Sequence, residues 1–379
     1  MTRDKGTGTI TRLPSGSYRC QLPAPPDPDT GRRRRATATG RTRKEALDNA
    51  RAKLPTLDAP TDTATPTVAE WCDQWVEHVI KPRRAPNTYR AYRTRIDTTI
   101  TPRIGHIRLD RLRPSHLRRL EQADRSGATA RLTRTVLTQA LDDAVREGML
   151  DRNPADGLDT PALDITETRI LTPDQAHRLI GMEPDPMWRL IWRLQFTTGM
   201  RIGETLALTP RELTQDMGRV CIHVAWQLKR FSHIENERDL PRGFEARHLT
   251  GHIWMTRPKT RRGRRLIPLP DQLGADLTAY ACGRDPDTLL FRSARGNPLG
   301  REAARVAWNR ALERARLPHV TIHSARHTAA TIMAEAGVSD LIRKRLIGHA
   351  NIDTTDMVYT HTDTLRLADA IDQVARALS

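Results

Sequence analysis

Two stretches without hydrophobic periodicity divide this chain of 379 residues into three segments. Residues 59–66 and 151–168 are rich in proline, threonine and aspartate, a composition typical of linkers rather than of packed helices or strands. The chain is also longer than most single domains. We therefore expect three domains, at residues 1–60, 66–155 and 168–379.

The first segment combines strand and helix signals with a run of positive charge. Ser17–Leu22 and Arg32–Thr39 are expected to be strands, and the spacing of Thr42 and Glu45 is that of a capping box at the start of a helix. Two interpretations stay open: a small basic sheet beside a helix, suited to a DNA groove, or a disordered basic arm. The candidate DNA-binding residues here are four consecutive arginines, Arg32, Arg33, Arg34 and Arg35.

The second segment has the periodicity of helices. Thr67 and Glu70 repeat the capping-box spacing, and apolar residues then recur every three or four positions through four helices that end at Gly148. The second of these helices carries Arg90 and Arg93, which we take as candidate DNA contacts. A small basic helical bundle is expected.

The third segment mixes both kinds of structure but is mostly helical. A capped helix begins near Thr172, and the alternation from Val220 to Trp226 predicts a half-buried strand. Residues 252–256 and 265–269 flank a polar turn and are expected to pair as a hairpin, and from Leu299 onward the pattern is helical. The predicted fold class is therefore multidomain and mainly α with small β elements.

The charge of the chain indicates a polyanionic partner. Lysine and arginine number 62 against 45 aspartates and glutamates, a net charge of +17 that favours nucleic acid. An acidic membrane surface is a weaker alternative partner. A membrane-embedded protein is not expected, because no apolar run could span a bilayer and the first residues lack the apolar core of a signal peptide. We therefore expect a cytoplasmic protein. The arginine-rich composition has a second explanation besides nucleic-acid binding, because it is also typical of proteins from GC-rich genomes.

No cofactor or metal site is predicted. The four cysteines lie far apart, without the spacing of metal ligands, and are expected to be small buried hydrophobic residues. The sequence also lacks a P-loop and a carboxylate cluster suited to magnesium.

Two basic motifs precede the last helices. In Thr198–Glu204, Gly199 ends a helix, Arg201 begins the next, and Glu204 one turn later could orient Arg201. Taken alone, such a pair is more often a surface ion pair. The second motif is the predicted hairpin tip Pro258–Arg265, which would lie against phosphates if DNA were near. Its candidate residues are Lys259, Arg261 and Arg262.

Three further motifs follow. His323 and Arg326 are three residues apart and share one face of a helix. Gly348–His349 follows an apolar stretch, and Tyr359 lies within Thr354–His361. Each is unremarkable alone, because single histidines are commonly structural and single tyrosines commonly pack in a core. What carries information is the ordered set of arginine, lysine, His-x-x-Arg, Gly-His and tyrosine.

This ordered set resembles the tyrosine recombinase, or phage integrase, family. The likeness is sharpest from residue 198 to 361, where the run Ile347–Thr355 is close to the family's pattern, and in domain order it extends over the whole chain. The resemblance implies an arm-type DNA-binding domain, a SAM-like core-binding domain and a catalytic domain. The catalytic residues that it implies are Arg201, Lys259, His323, Arg326, His349 and Tyr359.

The resemblance also implies a reaction and its partners. Tyr359 would attack a phosphodiester of an attachment site in double-stranded DNA and form a 3′-phosphotyrosyl link, with His323 as the base and Lys259 as the acid. The bond energy is stored, so rejoining requires no ATP. The expected function is integration and excision of a phage or integrative element by a homotetramer on DNA, with accessory directionality and DNA-bending proteins as further partners.

The match leaves several alternatives open. Ser324 and Ala325 occupy positions where the family often has an acidic and an aliphatic residue. The stretch Gln227–Gly251 is longer than such hairpins need and is either a surface loop or a contact to DNA or another protomer; it also holds Lys229, a rival to Lys259. The last helix could dock on its own domain or on another protomer. Rival functions are a type IB-like topoisomerase and an inactive DNA-binding regulator on the same scaffold.

Overall fold

The computed structural model describes residues 8–24, 33–58, 65–122, 124, 126–163, 169–258, 263–348 and 361–378. The chain divides into two compact units, residues 1–165 and 166–379. The first unit contains two separate hydrophobic cores, one before and one after residues 59–64. The division of the whole chain into three domains stays a prediction.

The N-terminal part is an antiparallel sheet covered on one face by a helix. Its strands, in the order β1-β2-β3, and its helix α1 are Thr9–Arg12, Tyr18–Ala24, Arg34–Gly40 and Arg43–Asp58. Alternate strand residues such as Cys20 and Ala36 are buried against Ala46 and Ala50 of α1. An ordered sheet, not a disordered arm, is therefore found in residues 8–24 and 33–58, and the strand β1 was not predicted.

The second core belongs to a helical bundle. Its helices α2 to α6 are Val68–Trp75, Pro86–Arg95, Thr101–Ile104, Pro114–Gln122 and Gly127–Arg146. The capping box of Thr67 and Glu70 is present as predicted. Two buried tryptophans on α2 hold α6, because the indole of Trp71 donates to the Ala140 carbonyl at 2.7 Å and the indole of Trp75 donates to Asp143.

Part of the predicted second linker is fixed on the bundle. Arg131 Nε donates to the carbonyl oxygen of Pro161 at 2.6 Å, and Arg134 Nη1 donates to that of Leu158 at 3.2 Å. Residues 158–161 are thus held against α6, and 164–168 lie outside the described residues.

The second unit surrounds one large core with helices and adds two small sheets. Its helices α7 to α14 are Pro173–Gly181, Pro186–Thr198, Ile202–Thr205, Asp271–Ala281, Arg301–Arg314, Ser324–Glu335, Asp340–Ile347 and His361–Ala377. Strands β4 to β9 are Leu213–Asp216, Arg219–Val224, Gln227–Arg230, Ala246–Thr250, Ile253–Thr256 and Arg265–Pro268. Helix α8 contributes Trp192 and Phe196 to the core, and Leu171 at the start of the unit donates its N–H to the Thr328 hydroxyl.

The predicted pairing of residues 252–256 with 265–269 is wrong. Strand β8 pairs with β6 and β7, whereas β9 pairs with β5, with Val224 opposite Arg265. A tight turn joins β7 directly to β8, so β8 has a nearer partner than β9. Gln227–Gly251 is likewise not merely a surface loop, because it supplies β6 and β7 and buries Phe231 and Ile234.

The last helix packs on its own unit. The apolar face of α14, with Leu367, Ile371 and Val374, is buried in the main core. At the rim Arg219 makes a bidentate pair with Asp372 at 2.9 and 2.7 Å. Of the two alternatives for this helix, docking within its own domain is the one found here.

The fold class, mainly α with small β elements, is confirmed. Three cysteines are buried as expected, but Cys282 is exposed. In the part of the chain that the structure describes, no helix has the length and apolar character required to cross a bilayer.

Candidate active site

Half of the predicted catalytic set can be located in the structure. All three lie in the second unit at the starts of helices: Arg201 precedes α9, His323 precedes α12, and Arg326 is in the first turn of α12. The other predicted catalytic residues lie outside the described residues: Lys259, His349 and Tyr359. The same holds for three candidate DNA contacts: Arg32, Arg261 and Arg262.

Arg201 is held by Glu204 at the junction of two helices. Helix α8 ends at Gly199, whose φ of +63° favours glycine, and Arg201 precedes α9. One carboxylate oxygen of Glu204 accepts from Arg201 Nη1 at 2.9 Å and the other accepts from the Arg201 backbone N–H at 3.0 Å. Glu204 is only 2% exposed, so this is a buried support for the arginine rather than a surface ion pair.

Arg326 is buried with part of its hydrogen-bonding capacity unused. It lies in the first turn of α12, is 4% exposed, and donates from Nη1 to the carbonyl oxygen of Gly199 at 2.7 Å. Its Nη2 has no hydrogen-bond partner among the described residues. Burial, followed by the positive charges of Arg201 and Arg265, lowers the pKa of Arg326 to about 9. A buried cation in this state favours an incoming anion.

A third arginine, Arg265, completes the cluster, and its place in the core was not predicted. The sequence placed it on the exposed basic tip, but it is 1% exposed. Its Nη2 donates to Glu204 at 2.9 Å, and its Nε and Nη1 donate to the carbonyl oxygens of Leu346 and Gly263. A signal was present, because Arg265 is two residues from the buried Ile267 and alternation puts both on one face of β9.

The cluster carries excess positive charge. Within the described ranges, three guanidinium groups, those of Arg201, Arg265 and Arg326, interact with one carboxylate, that of Glu204. Burial tends to raise the pKa of Glu204, but the two arginines bonded to it lower the pKa overall, so the carboxylate stays ionised. The remaining positive charge makes the cluster a candidate site for a phosphate group.

His323 is the N-cap residue of α12, with its ring centroid 4.8 Å from that of His327 and perpendicular to it. Partial burial, then the neighbouring His327 and Arg326, lower the pKa of His323 from its ordinary value of 6.5. The imidazole is therefore neutral at pH 7 and can accept a proton.

Gly348, the first residue of the predicted Gly-His motif, lies against the arginines. It ends α13 with a φ of +75°, and its carbonyl oxygen accepts from Arg201 Nη2 at 3.4 Å. A Cβ atom added at Gly348 would lie 3.0 Å from Arg265 Nη1, so the backbone approaches this guanidinium closely. The residue next in sequence is His349.

The choice between the two candidate lysines stays a prediction. Lys229 lies on β6 opposite Trp254, and β6 passes so close to α9 that a Cβ added at Gly203 would meet the Leu228 carbonyl oxygen at 2.9 Å. Lys259 lies outside the described residues.

The arginines predicted to bind DNA in the first unit differ in their surroundings. Arg33 and Arg35 are exposed and Arg34 is half-buried on or beside β3. In the bundle Arg90 is exposed, whereas Arg93 forms ion pairs with two aspartates, Asp73 and Asp97. Arg93 is therefore a weaker candidate for a phosphate contact than the others.

Comparison with known proteins places the chain in a family. Residues 169–366 match the family model described as "Phage integrase family", and residues 67–122 match the model described as "Phage integrase, N-terminal SAM-like domain". The chain belongs to the phage integrase family. This recombinase is 24% identical to an integrase of Saccharopolyspora erythraea, over 79% of its own chain and 80% of the relative. It is 27% identical to the tyrosine recombinase XerC of Shewanella amazonensis, over 80% and 95%.

Solved structures agree on the fold. The recombinase superposes on the Tn1549 transposon integrase in complex with transposon right end DNA with a TM-score of 0.61, at 20% identity, covering 79% of its own chain and 94% of that one. For a lambda integrase dimer bound to a core site the TM-score is 0.56, at 18% identity, with 93% and 95% covered. The sequence-based assignment to the tyrosine recombinases is thus confirmed, and the protein is a site-specific tyrosine recombinase enzyme.

Proposed function

We propose that the recombinase integrates and excises a phage or other mobile element by cutting and rejoining double-stranded DNA through a 3′-phosphotyrosyl link to Tyr359. The observation that carries the proposal is the buried Nη2 of Arg326, which has no hydrogen-bond partner among the described residues and lies in a cluster where, among the same residues, positive charge exceeds negative charge. A phosphodiester would supply both the acceptor and the charge that this cluster needs.

In the proposed reaction Arg201 and Arg326 bind the non-bridging oxygens of the scissile phosphate. Negative charge grows on these oxygens as a nucleophile adds to phosphorus, and donors already fixed in place stabilise it most. Glu204 and the carbonyl oxygen of Gly199 hold the two guanidinium groups before DNA arrives. Loss of one such donor typically costs about 10²–10³ in rate.

The remaining catalytic residues move protons or support the phosphate. The hydroxyl of Tyr359 attacks phosphorus, and neutral His323 takes its proton. The bond from phosphorus to the 5′ oxygen breaks, and Lys259 protonates that oxygen as it leaves; His349 donates to the phosphate. The products are a 3′-phosphotyrosine and a free 5′ hydroxyl. Attack by a 5′ hydroxyl on this link reverses the step and conserves one phosphodiester for each one broken.

The first unit would hold the enzyme on its DNA. The face of the N-terminal sheet opposite α1 exposes Arg19 and Arg35, which suits a groove, and the helical bundle would bind the core site. Among the relatives, lambda integrase has been solved as a dimer on a core site and as a tetramer on a Holliday junction. We propose the same tetrameric assembly on attachment-site DNA in the cytoplasm, aided by directionality and DNA-bending proteins, with arm-binding, core-binding and catalytic domains at 1–60, 66–155 and 168–379.

A covalent-capture experiment tests the proposal. The full-length protein is mixed with duplexes that carry a nick inside a randomised sequence, so that cleavage releases a short fragment and traps the enzyme on DNA. Complexes that survive SDS are isolated, and their DNA is sequenced to find the core site. Wild type should form them, and Tyr359→Phe should not.

Tyr280→Phe is the matched control, because Tyr280 is stacked on Phe291 at 5.6 Å and should trap DNA normally. A covalent complex formed by Tyr359→Phe would refute the nucleophile. Absence of any complex with wild type would favour the inactive regulator. Relaxation of a supercoiled plasmid without exchange between two captured sites would favour a topoisomerase.

A further inference from the structure

The geometry points to Arg265 as a positioning residue of the recombination reaction: its guanidinium ties Gly263, at the start of β9, to Glu204 and to the end of α13. This inference rests on the proposed function, because it assigns to Arg265 the alignment of the acid and of the end of α13 that precedes His349. Neither the motif pattern nor the charge of residues 258–265 predicted such a role.

Each nitrogen of Arg265 holds a different segment of the chain. Nη2 donates to Glu204 Oε2 at 2.9 Å, Nε donates to the Leu346 carbonyl oxygen at 2.6 Å, and Nη1 donates to the Gly263 carbonyl oxygen at 3.2 Å. The first segment carries Arg201, the second leads to His349, and the third follows Lys259 by four residues. One side chain therefore ties together three segments of the chain, each of which lies within four residues of a proposed catalytic position.

The contacts of Arg265 depend on the planar guanidinium. Its donors point in fixed directions and meet three acceptors at once, whereas a lysine ammonium would be a single point charge in this place. The backbone at Gly348 also lies against the guanidinium, where an added Cβ would be 3.2 Å from Cζ. The surroundings of Arg265 therefore match the shape of its guanidinium as well as its charge.

A structural role alone would have a different signature from a positioning role. If Arg265 only stabilised the fold, its loss would slow cleavage of every substrate equally and would follow the fall in melting temperature. If it positions the acid, its loss should matter most where the 5′ oxygen needs a proton. A thiol has a pKa of about 8.5, far below that of an alcohol, so a sulfur leaving group departs without an acid.

The test compares Arg265→Lys and Arg265→Met on a captured core site with either oxygen or sulfur at the bridging 5′ position. On the oxygen substrate we expect cleavage about 10²-fold slower than wild type, because a small misplacement of a catalytic group has this cost. On the sulfur substrate we expect recovery of at least about tenfold, as an acid contributes about 10²–10⁴. Binding of the core site by Arg265→Lys should stay within about threefold of wild type, because lysine keeps the positive charge of the cluster and position 265 is buried. Arg265→Lys keeps the charge beside Glu204 and so remains informative if Arg265→Met does not fold.

The matched control is Arg314→Met. Arg314 also pairs with a buried carboxylate, Glu183, but that pair lies on the indole of Trp192 and not at the arginine cluster. It should lower the melting temperature and leave the cleavage rate of folded protein unchanged.

Each outcome separates the two proposals. Suppose that the sulfur substrate restores the cleavage rate of Lys259→Ala. The positioning role of Arg265 is then overturned if its variants lose the same factor in cleavage rate on both substrates, or lose no more than Arg314→Met. If Lys259→Ala is not rescued, the acid assignment in the proposed function is wrong, and the role given to Arg265 falls with it. If wild type forms no covalent complex, both proposals are overturned.

Discussion

Replacing Arg326 with methionine should stabilise the DNA-free protein while destroying its activity. The pKa of Arg326 is lowered from 12.5 to about 9, which corresponds to ~5 kcal/mol of unfavourable free energy for the buried charge at neutral pH. Methionine fills a similar volume without charge but gives up the bond to the Gly199 carbonyl oxygen, worth about 1.5–3 kcal/mol. The net gain is therefore at least ~2 kcal/mol.

Calorimetry measures this gain directly. For a unit of this size, ~2 kcal/mol raises the melting temperature by about 4–8 °C. Inorganic phosphate should raise the melting temperature of wild type, because it supplies the missing negative charge, and should raise that of Arg326→Met by less. In the covalent-capture assay the same variant should lose at least about 10² in rate.

Arg314→Met is the control, because it tests whether replacing any arginine in the second unit with methionine raises the melting temperature. Arg314→Met leaves the buried Glu183 carboxylate without its cation and should cost about 1.5–3 kcal/mol, since Arg314 is partly exposed and Glu183 keeps the bond from Trp192. A melting temperature for Arg326→Met that falls by several degrees would refute the reasoning, since it would show that the charge of Arg326 is satisfied in the absence of DNA. Stability given up at a reactive site is a common exchange for activity.

Three other outcomes can be measured on the same protein. Because the pKa of His323 is lowered and the base must be neutral, the single-turnover cleavage rate should be flat around pH 7 and fall only below about pH 6.5; a fall that begins above pH 7 would count against this base. Gly348→Ala should lose at least about 1 kcal/mol more in urea unfolding than Gly337→Ala, since both have positive φ but only the first meets another group, and equal losses would contradict the close approach. Arg35→Ala should lower the slope of log affinity against log salt by about 0.9, and Arg51→Ala on the helix that covers the other face should not.

Local chemistry made much of this fold predictable. A capping box is formed by hydrogen bonds between residues three positions apart, so it can be recognised in the sequence. Thr67 with Glu70 and Thr172 with Gln175 indicated helix starts that the structure contains. The turn at Gly199 was equally visible, because a positive φ at a helix end selects glycine.

Long-range pairing was not predictable in the same way. Alternation tells which face of a strand is buried but does not name the neighbouring strand, and so residues 252–256 were assigned to the wrong partner. Arg265 was missed for a related reason. Its charge suggested solvent, and the acceptors that allow its burial come from Glu204, Gly263 and Leu346, which no local pattern brings together.

The two units are joined by a short connection, because both ends of the second linker are hydrogen-bonded to the unit beside them. Arg131 holds the carbonyl oxygen of Pro161 on one unit, and Thr328 holds the N–H of Leu171 on the other, so only residues 162–170 lie between the two anchors. At full extension that chain spans roughly 35 Å, close to one helical turn of DNA, about 34 Å. Once either unit is seated on the proposed DNA substrate, the other searches a small volume at an effective concentration on the order of millimolar. Weak contacts by each unit can then add up to tight binding, and a longer tether would dilute that advantage without changing any residue that touches DNA.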